Sequence, residues 1–77
     1  MASEIAKFKF DAKSNNDGYE KAKEKLRYEF GQTNGWTTDS DGTWFTWAST
    51  YYIIIRSDIK DAGKAGDICR AHGGKPY

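Results

Sequence analysis

The sequence has one cysteine and no long apolar run. A lone Cys69 cannot form an internal disulfide, whereas small secreted domains usually depend on several bridges. The longest apolar run covers residues 51–55, far short of the roughly 20 residues that a membrane-spanning helix needs. The N-terminal residues also lack the basic and apolar segments of a signal peptide. We therefore expect a cytoplasmic protein without a membrane partner.

Aliphatic residues are scarce as well, with a single leucine and no valine. Aromatic residues make up 16% of the chain and supply the apolar bulk that the aliphatic ones do not. A chain of 77 residues has room for one hydrophobic core. We therefore expect a single domain over residues 1–77, of the α+β class by the element order given below, with an ordered core at about 4–73 and a short C-terminal tail at 74–77.

No excess of charge of one sign indicates a partner. Twelve Lys and Arg residues face eleven Asp and Glu residues, which gives a net charge of +1. Proteins that bind nucleic acid or acidic membranes usually carry a basic patch or a strongly basic balance. The charge balance alone therefore selects no class of partner.

Two segments in the first half have clear periodicity. Residues 6–11 alternate apolar and charged, which predicts a strand with Phe8 and Phe10 turned to the core. Tyr19, Ala22, Leu26 and Phe30 then recur at helical spacing, and a glycine follows them. The chain therefore begins with a strand and a helix.

The second half predicts a hairpin and a second helix. Asp41-Gly42 is a favoured pair for a two-residue hairpin loop, and in that register Trp36 lies opposite Trp47. Residues 43–56 then form one long bent strand or two strands joined by a loop of odd length, and both options preserve side-chain parity. Ser57 is expected to cap a last helix that runs from about Asp58 to His72.

The order β-α-β-β-α, with the third strand region whole or split in two, predicts a two-layer sandwich. Both helices then pack on one face of an antiparallel sheet. The predicted core consists of the apolar residues that share strand parity or helical spacing: Phe8, Phe10, Leu26, Phe30, Trp36, Phe45, Trp47, Ile53, Ile55 and Ile59.

Catalytic chemistry has one weak candidate. Cys69 and His72 lie three residues apart on the last predicted helix, and a Cys–His pair is the minimum for a thiol nucleophile. Cysteine is, however, among the most often buried residues, and a histidine near a helix end commonly serves the last carbonyls. One Cys and one His are also too few for a structural zinc site. We expect no enzyme activity, no metal site and no cofactor.

The face of the sheet away from the helices is the predicted functional surface. Strand parity places large apolar side chains there among basic ones, and monomeric proteins seldom leave such a patch unused. A register shift at residues 49–51 would instead turn Ile53 and Ile55 outward. The candidate binding residues are Trp44, Tyr52, Ile54, Arg56, Lys7 and Lys9.

Two classes of function would use this surface. As a protein contact, it has Trp44 at an apolar centre and basic residues at the rim, which suits interface hot spots. As a single-stranded nucleic-acid site, it offers aromatic rings for stacking and lysines for phosphates. Residues 31–58, which form most of the predicted sheet, hold one arginine against three aspartates, and this charge favours protein binding.

The first expectation is therefore a protein-binding module that acts as a regulator or inhibitor on a partner's surface, and the alternative is single-stranded nucleic-acid binding. Small inhibitory proteins of this size include ones made by bacteriophages. The partner is expected to be another protein or, in a homodimer, a second copy of the chain.

Overall fold

The fold is an α+β two-layer sandwich in which a four-stranded antiparallel sheet packs against two helices, as the sequence predicted. A computed structural model describes residues 3–77. The sheet order is β2-β3-β1-β4. The elements are β1 (Glu4–Asp11), α1 (Asn16–Phe30), β2 (Trp36–Ser40), β3 (Thr50–Arg56), α2 (Ala62–Ala71) and β4 (Lys75–Pro76).

Pairing of β1 with β3 fixes which side chains face the helices. Phe8 lies opposite Ile53, and Lys7 lies opposite Ile54. Because successive strand residues point to opposite faces, Phe8 and Ile53 are buried while Lys7 and Ile54 lie on the other face. The alternative register, with Ile53 and Ile55 turned outward, does not occur.

One apolar cluster joins the two layers. Each helix contributes three or more buried side chains to it, including Leu26 from α1 and Cys69 from α2, both with no exposed surface. Phe30 and Ile59 lie at its margin and are only half-buried. The cluster comprises Phe8, Phe10, Tyr19, Ala22, Leu26, Trp36, Ile53, Ile55, Ala65, Ile68 and Cys69.

The prediction of a hairpin at Asp41-Gly42 is wrong. Trp36 pairs with Ile55 instead of Trp47, and β2 ends at Ser40. This register is held at its far end by a hydrogen bond from the Arg56 amide to the Gly35 carbonyl, 2.9 Å. The connection between β2 and β3 is consequently the long segment 41–49. Phe45 and Trp47, predicted in the core, are 89% and 97% exposed there.

The second helix also begins later than predicted. Its N-cap is Asp61, whose carboxylate accepts a hydrogen bond from the Lys64 amide at 3.0 Å. Ser57 instead accepts a bond on its hydroxyl from the Ser3 amide. The Asp61 carboxylate thus satisfies one of the four backbone amides that a helix start leaves without an intrahelical partner.

The predicted tail at 74–77 contains the fourth strand. Lys75 pairs with Lys9 and Pro76 with Phe8, and the Tyr77 amide donates to the Lys7 carbonyl at 2.9 Å. Gly74 makes this path possible, because a Cβ there would lie 2.6 Å from the Phe10 ring. Neither helix of the described residues has the length and apolar character to cross a membrane.

Candidate binding surfaces

The segment between β2 and β3, residues 41–49, is named the aromatic loop. It is closed at its base by Asp41, whose carboxylate accepts hydrogen bonds from the Ser49 amide at 2.8 Å and the Thr50 amide at 3.0 Å. The other carboxylate oxygen accepts from the Ser49 hydroxyl at 2.6 Å. These hydrogen bonds lower the pKa of Asp41, and the bond from the Ser49 hydroxyl contributes most. The base of the loop is therefore fixed by a charged acceptor.

The tip of the aromatic loop is held by two threonines. The Thr43 amide donates to the Thr46 carbonyl at 3.1 Å, and the Thr46 amide donates to the Thr43 carbonyl at 3.4 Å. The two hydroxyls lie 2.8 Å apart, and Thr43 Oγ1 also accepts from the Phe45 amide at 3.2 Å. The backbone that carries the aromatic residues is thus ordered by polar contacts, without burial of those residues.

Three aromatic side chains project from this loop. Trp44 is 92% exposed, and Phe45 and Trp47 are exposed to a similar degree. Apart from these, Tyr28 and Tyr77 are the aromatic residues with strongly exposed rings in the described chain. Large apolar side chains grouped in this way usually mark a contact with another molecule.

The outer face is the sheet face that points away from the helices. It carries Lys7, Lys9, Tyr52 and Ile54, as strand parity predicted. Tyr52 and Ile54 are half-buried, because neighbouring side chains cover part of them. The outer face therefore presents less apolar surface than the sequence indicated.

The predicted site residues do not form one patch. Trp44 lies in the aromatic loop, beyond the Ser40–Tyr51 end of the sheet. Arg56 lies at the opposite end of β3, where it pairs with Glu4. The structure therefore separates Trp44 from Arg56 and places the remaining four predicted residues on the outer face between them.

Four residues of these surfaces were missed by sequence reasoning. Strand parity predicts Phe45 and Trp47 in the core and Trp44 on the opposite face. Adjacent aromatic residues at 44 and 45 interrupt the alternation of apolar and polar residues, and this interruption was the available signal. The sequence predicts a tail for Lys75 and Tyr77, because two strand residues that include a proline give no periodic signal.

A ring cluster on the outer face involves the missed Tyr77. Its ring meets Tyr52 edge-on, with centroids 5.4 Å apart and an interplanar angle of 67°. Lys7 Nζ lies 4.5 Å from the Tyr52 centroid and 4.8 Å from that of Tyr77. These distances are typical of cation–π contacts.

Cys69 and His72 have structural surroundings. Cys69 has no exposed surface, and burial raises the pKa of its thiol to about 12. The His72 amide donates to the Cys69 carbonyl at the end of α2, and the His72 carbonyl accepts from the Asn15 side chain at 2.9 Å. A thiol in this state lacks the exposed thiolate that nucleophilic catalysis requires. Residues 3–77 contain no group of three His, Cys, Asp or Glu side chains placed to hold a metal ion.

Comparison of the chain with protein-family models, with curated proteins and with solved structures gives no match.

Proposed function

We propose that this chain is a protein-binding module, a regulator or inhibitor, whose contact surface is centred on Trp44 of the aromatic loop. The observation that carries the proposal is the near-complete exposure of Trp44, Phe45 and Trp47 on one ordered loop. Trp is, with Tyr and Arg, one of the residue types enriched at the energetic centres of protein interfaces. The partner is expected to present an apolar groove that accepts these rings.

The order of the loop supports binding. Hydrogen bonds to the Asp41 carboxylate at the base and between Thr43 and Thr46 at the tip reduce the backbone freedom that would otherwise be lost on association. Preorganisation of this kind raises affinity without any added contact.

Charge near the loop favours a protein partner over a membrane surface. Asp41 is the charged side chain within the loop, and Asp39 is the nearest one outside it, so both are acidic. Aromatic loops that insert into membrane interfaces usually rely on neighbouring basic residues for attraction to anionic lipids. A protein groove with a basic or neutral rim suits the aromatic loop better.

The proposal concerns binding alone and includes no catalytic step. We leave catalysis out of the proposal because Cys69, the candidate nucleophile, is buried. A contact between two copies of the chain would use the same rings, so the test must distinguish it from a contact with another protein.

Site-directed photo-cross-linking tests the proposal. Phe45 is replaced by the photoreactive aromatic residue p-benzoylphenylalanine, which keeps Trp44 and Trp47 in place, and the chain is irradiated in lysate of the cells that produce it. The matched control carries the same group at Tyr28, which is 81% exposed on α1. We expect a defined protein adduct at position 45 that is absent at position 28. Excess wild-type chain should abolish it, and excess Trp44→Ala chain should not.

Two results would contradict the proposal. Equal adducts from positions 45 and 28 would show that exposure alone determines the labelling. An adduct with the mass of two copies of the chain would show that the aromatic loop joins identical chains instead of binding another protein.

A further inference from the structure

Strand β4 and the residue that follows it add a lysine and an aromatic ring to the outer face. Lys75 lies directly opposite Lys9 across the β1–β4 pair, so both side chains lie on the same side of the sheet. The Tyr77 ring lies beside them, with Lys9 Nζ 5.9 Å from its centroid. Lys7, Lys9, Lys75 and Tyr77 therefore form one cluster, named the lysine–tyrosine cluster.

The lysines of this cluster have no acidic partner. Within residues 3–77, the ion pairs closer than 4.0 Å involve Lys21, Lys23, Lys25, Lys64 and Arg70, and none involves Lys7, Lys9 or Lys75. Like charges placed directly opposite each other in a sheet repel. Lys9 and Lys75 are in that relation, and an anion bound between them would relieve the repulsion.

The aspartates on the same face do not neutralise these lysines by contact. The Asp11 carboxylate accepts from the Ser14 amide at 2.8 Å and from the Lys13 amide at 2.9 Å, and these bonds lower its pKa. Asp39 lies on β2, separated from β1 by the central strand β3, and accepts from the Ser40 amide. On the β1–β4 half of the face, three lysines, Lys7, Lys9 and Lys75, therefore stand against one carboxylate, that of Asp11.

Space and stacking surface accompany the charge. A cavity of about 290 Å³ lies at the end of the β1–β4 pair, lined by both Lys9 and Lys75 and also by Asp11, Asn15 and Thr50. Tyr77 is 72% exposed, so much of its ring is open to a planar ligand. Aromatic rings beside lysines are the combination with which sheet surfaces hold unpaired bases and their phosphates.

We propose that the lysine–tyrosine cluster binds single-stranded nucleic acid, with a base stacked on Tyr77 and backbone phosphates at Lys7, Lys9 and Lys75. A nucleic acid has both groups that the cluster can contact: its bases stack on the ring, and its phosphates pair with the lysines. A ligand with only one of these groups would leave either the ring or the lysines without a contact. This site shares no residue with the aromatic loop, so each proposal can fail while the other holds.

Fluorescence anisotropy with a labelled twelve-nucleotide oligothymidylate tests the inference on the full chain. Binding should weaken roughly 20-fold between about 50 and 200 mM salt, as expected for three phosphate contacts on a single strand. The double variant Lys9→Ala/Lys75→Ala should bind at least tenfold more weakly. Its matched control is Lys21→Ala/Lys60→Ala, which removes the same charge elsewhere and should change affinity less than twofold.

A second pair of variants tests the stacked base. Tyr77→Leu should weaken binding about fivefold or more, whereas Tyr28→Leu, which removes an exposed ring from α1, should have no effect. Circular dichroism checks that each variant is folded. Tyr77→Trp, which keeps a stacking ring, should restore or strengthen binding even if Tyr77→Leu disturbs β4.

Three results would overturn the inference. The first is the absence of oligothymidylate binding by the wild-type chain at about 50 mM salt. The second is an equal loss of affinity in the Lys9/Lys75 and Lys21/Lys60 double variants. The third is equal binding of inorganic polyphosphate together with no effect of Tyr77→Leu, which would reduce the cluster to a site for anions in general.

Discussion

Asp41 and Ser49 join the two ends of the aromatic loop through two hydrogen bonds to one carboxylate, from the Ser49 amide at 2.8 Å and the Ser49 hydroxyl at 2.6 Å. Asp41 follows β2 and Ser49 precedes β3, so this contact closes the segment that carries Trp44 and its neighbours. The proposed protein contact depends on this closure, because it fixes the backbone from which the rings project.

Loss of the Asp41 carboxylate should loosen the aromatic loop and leave the core intact. In Asp41→Ala, both side-chain oxygens that accept from Ser49 and Thr50 are removed. We expect faster amide hydrogen exchange at Ser49 and Thr50, with a change in melting temperature of only a few degrees. Asp39→Ala is the control, because the Asp39 carboxylate accepts a hydrogen bond from its neighbour Ser40 and from no residue of the aromatic loop. Unchanged exchange at Ser49 in Asp41→Ala would show that the carboxylate does not hold the loop.

Acid should open the same loop without any mutation. The pKa of Asp41 lies below its ordinary value of 3.8, mainly because of the bond from the Ser49 hydroxyl. A carboxyl group whose pKa is lower in the folded than in the unfolded chain stabilises the fold at pH values above its unfolded pKa. That stabilisation is lost as the pH falls through its folded pKa. The Ser49 and Thr50 amide resonances should therefore shift below pH 3.8, and the shift should be absent in Asp41→Asn. A simultaneous change at the core residue Ile53 would instead indicate global unfolding.

Strand parity predicted most of the core but not the aromatic loop. Phe8 and Phe10 on β1 and Ile53 and Ile55 on β3 alternate strictly, and each buries the face that the pattern indicated. The Asp41-Gly42 pair is a strong local hairpin signal, but the pairing of Trp36 with Ile55 on the central strand overrides it. Competition between a local turn and a long-range register cannot be resolved from local patterns.

The outer face was predicted in part for a related reason. Lys7, Lys9, Tyr52 and Ile54 follow from the alternation of β1 and β3. Strand β4 consists of two residues and contains Pro76, which cannot donate to a sheet. Its pairing depends on the fit of Gly74 against Phe10, a tertiary contact that no periodicity reveals.

Core and loop variants should differ sharply in stability. Leu26 has no exposed surface and Trp47 is 97% exposed. Leu26→Ala should lower the free energy of unfolding by about 2 to 5 kcal/mol, because it leaves a cavity in the core. Trp47→Ala removes a larger side chain, yet it should change the same quantity by less than about 0.5 kcal/mol. Denaturant unfolding followed by circular dichroism measures both, and a large loss in Trp47→Ala would place that ring in the core.

Cys69 should be inert while the chain is folded. Burial raises the pKa of its thiol to about 12, so almost no thiolate exists near neutral pH. With a chromogenic disulfide reagent at about pH 8, the reaction should be at least roughly a hundredfold slower than in guanidinium chloride. Rapid labelling of the folded chain would reveal an exposed nucleophile and would revive the Cys69–His72 pair as a catalytic candidate.

The most direct test of the protein-binding account is the dissociation constant of the partner recovered by cross-linking at position 45. Calorimetric titrations compare the wild-type chain with Trp44→Ala and with the control Tyr28→Ala, which also removes a strongly exposed ring. Trp44→Ala should weaken binding by about 2 kcal/mol or more, roughly 30-fold, while the melting temperature stays within a few degrees of wild type. Tyr28→Ala should leave affinity unchanged. An affinity for Trp44→Ala within twofold of wild type would contradict the account.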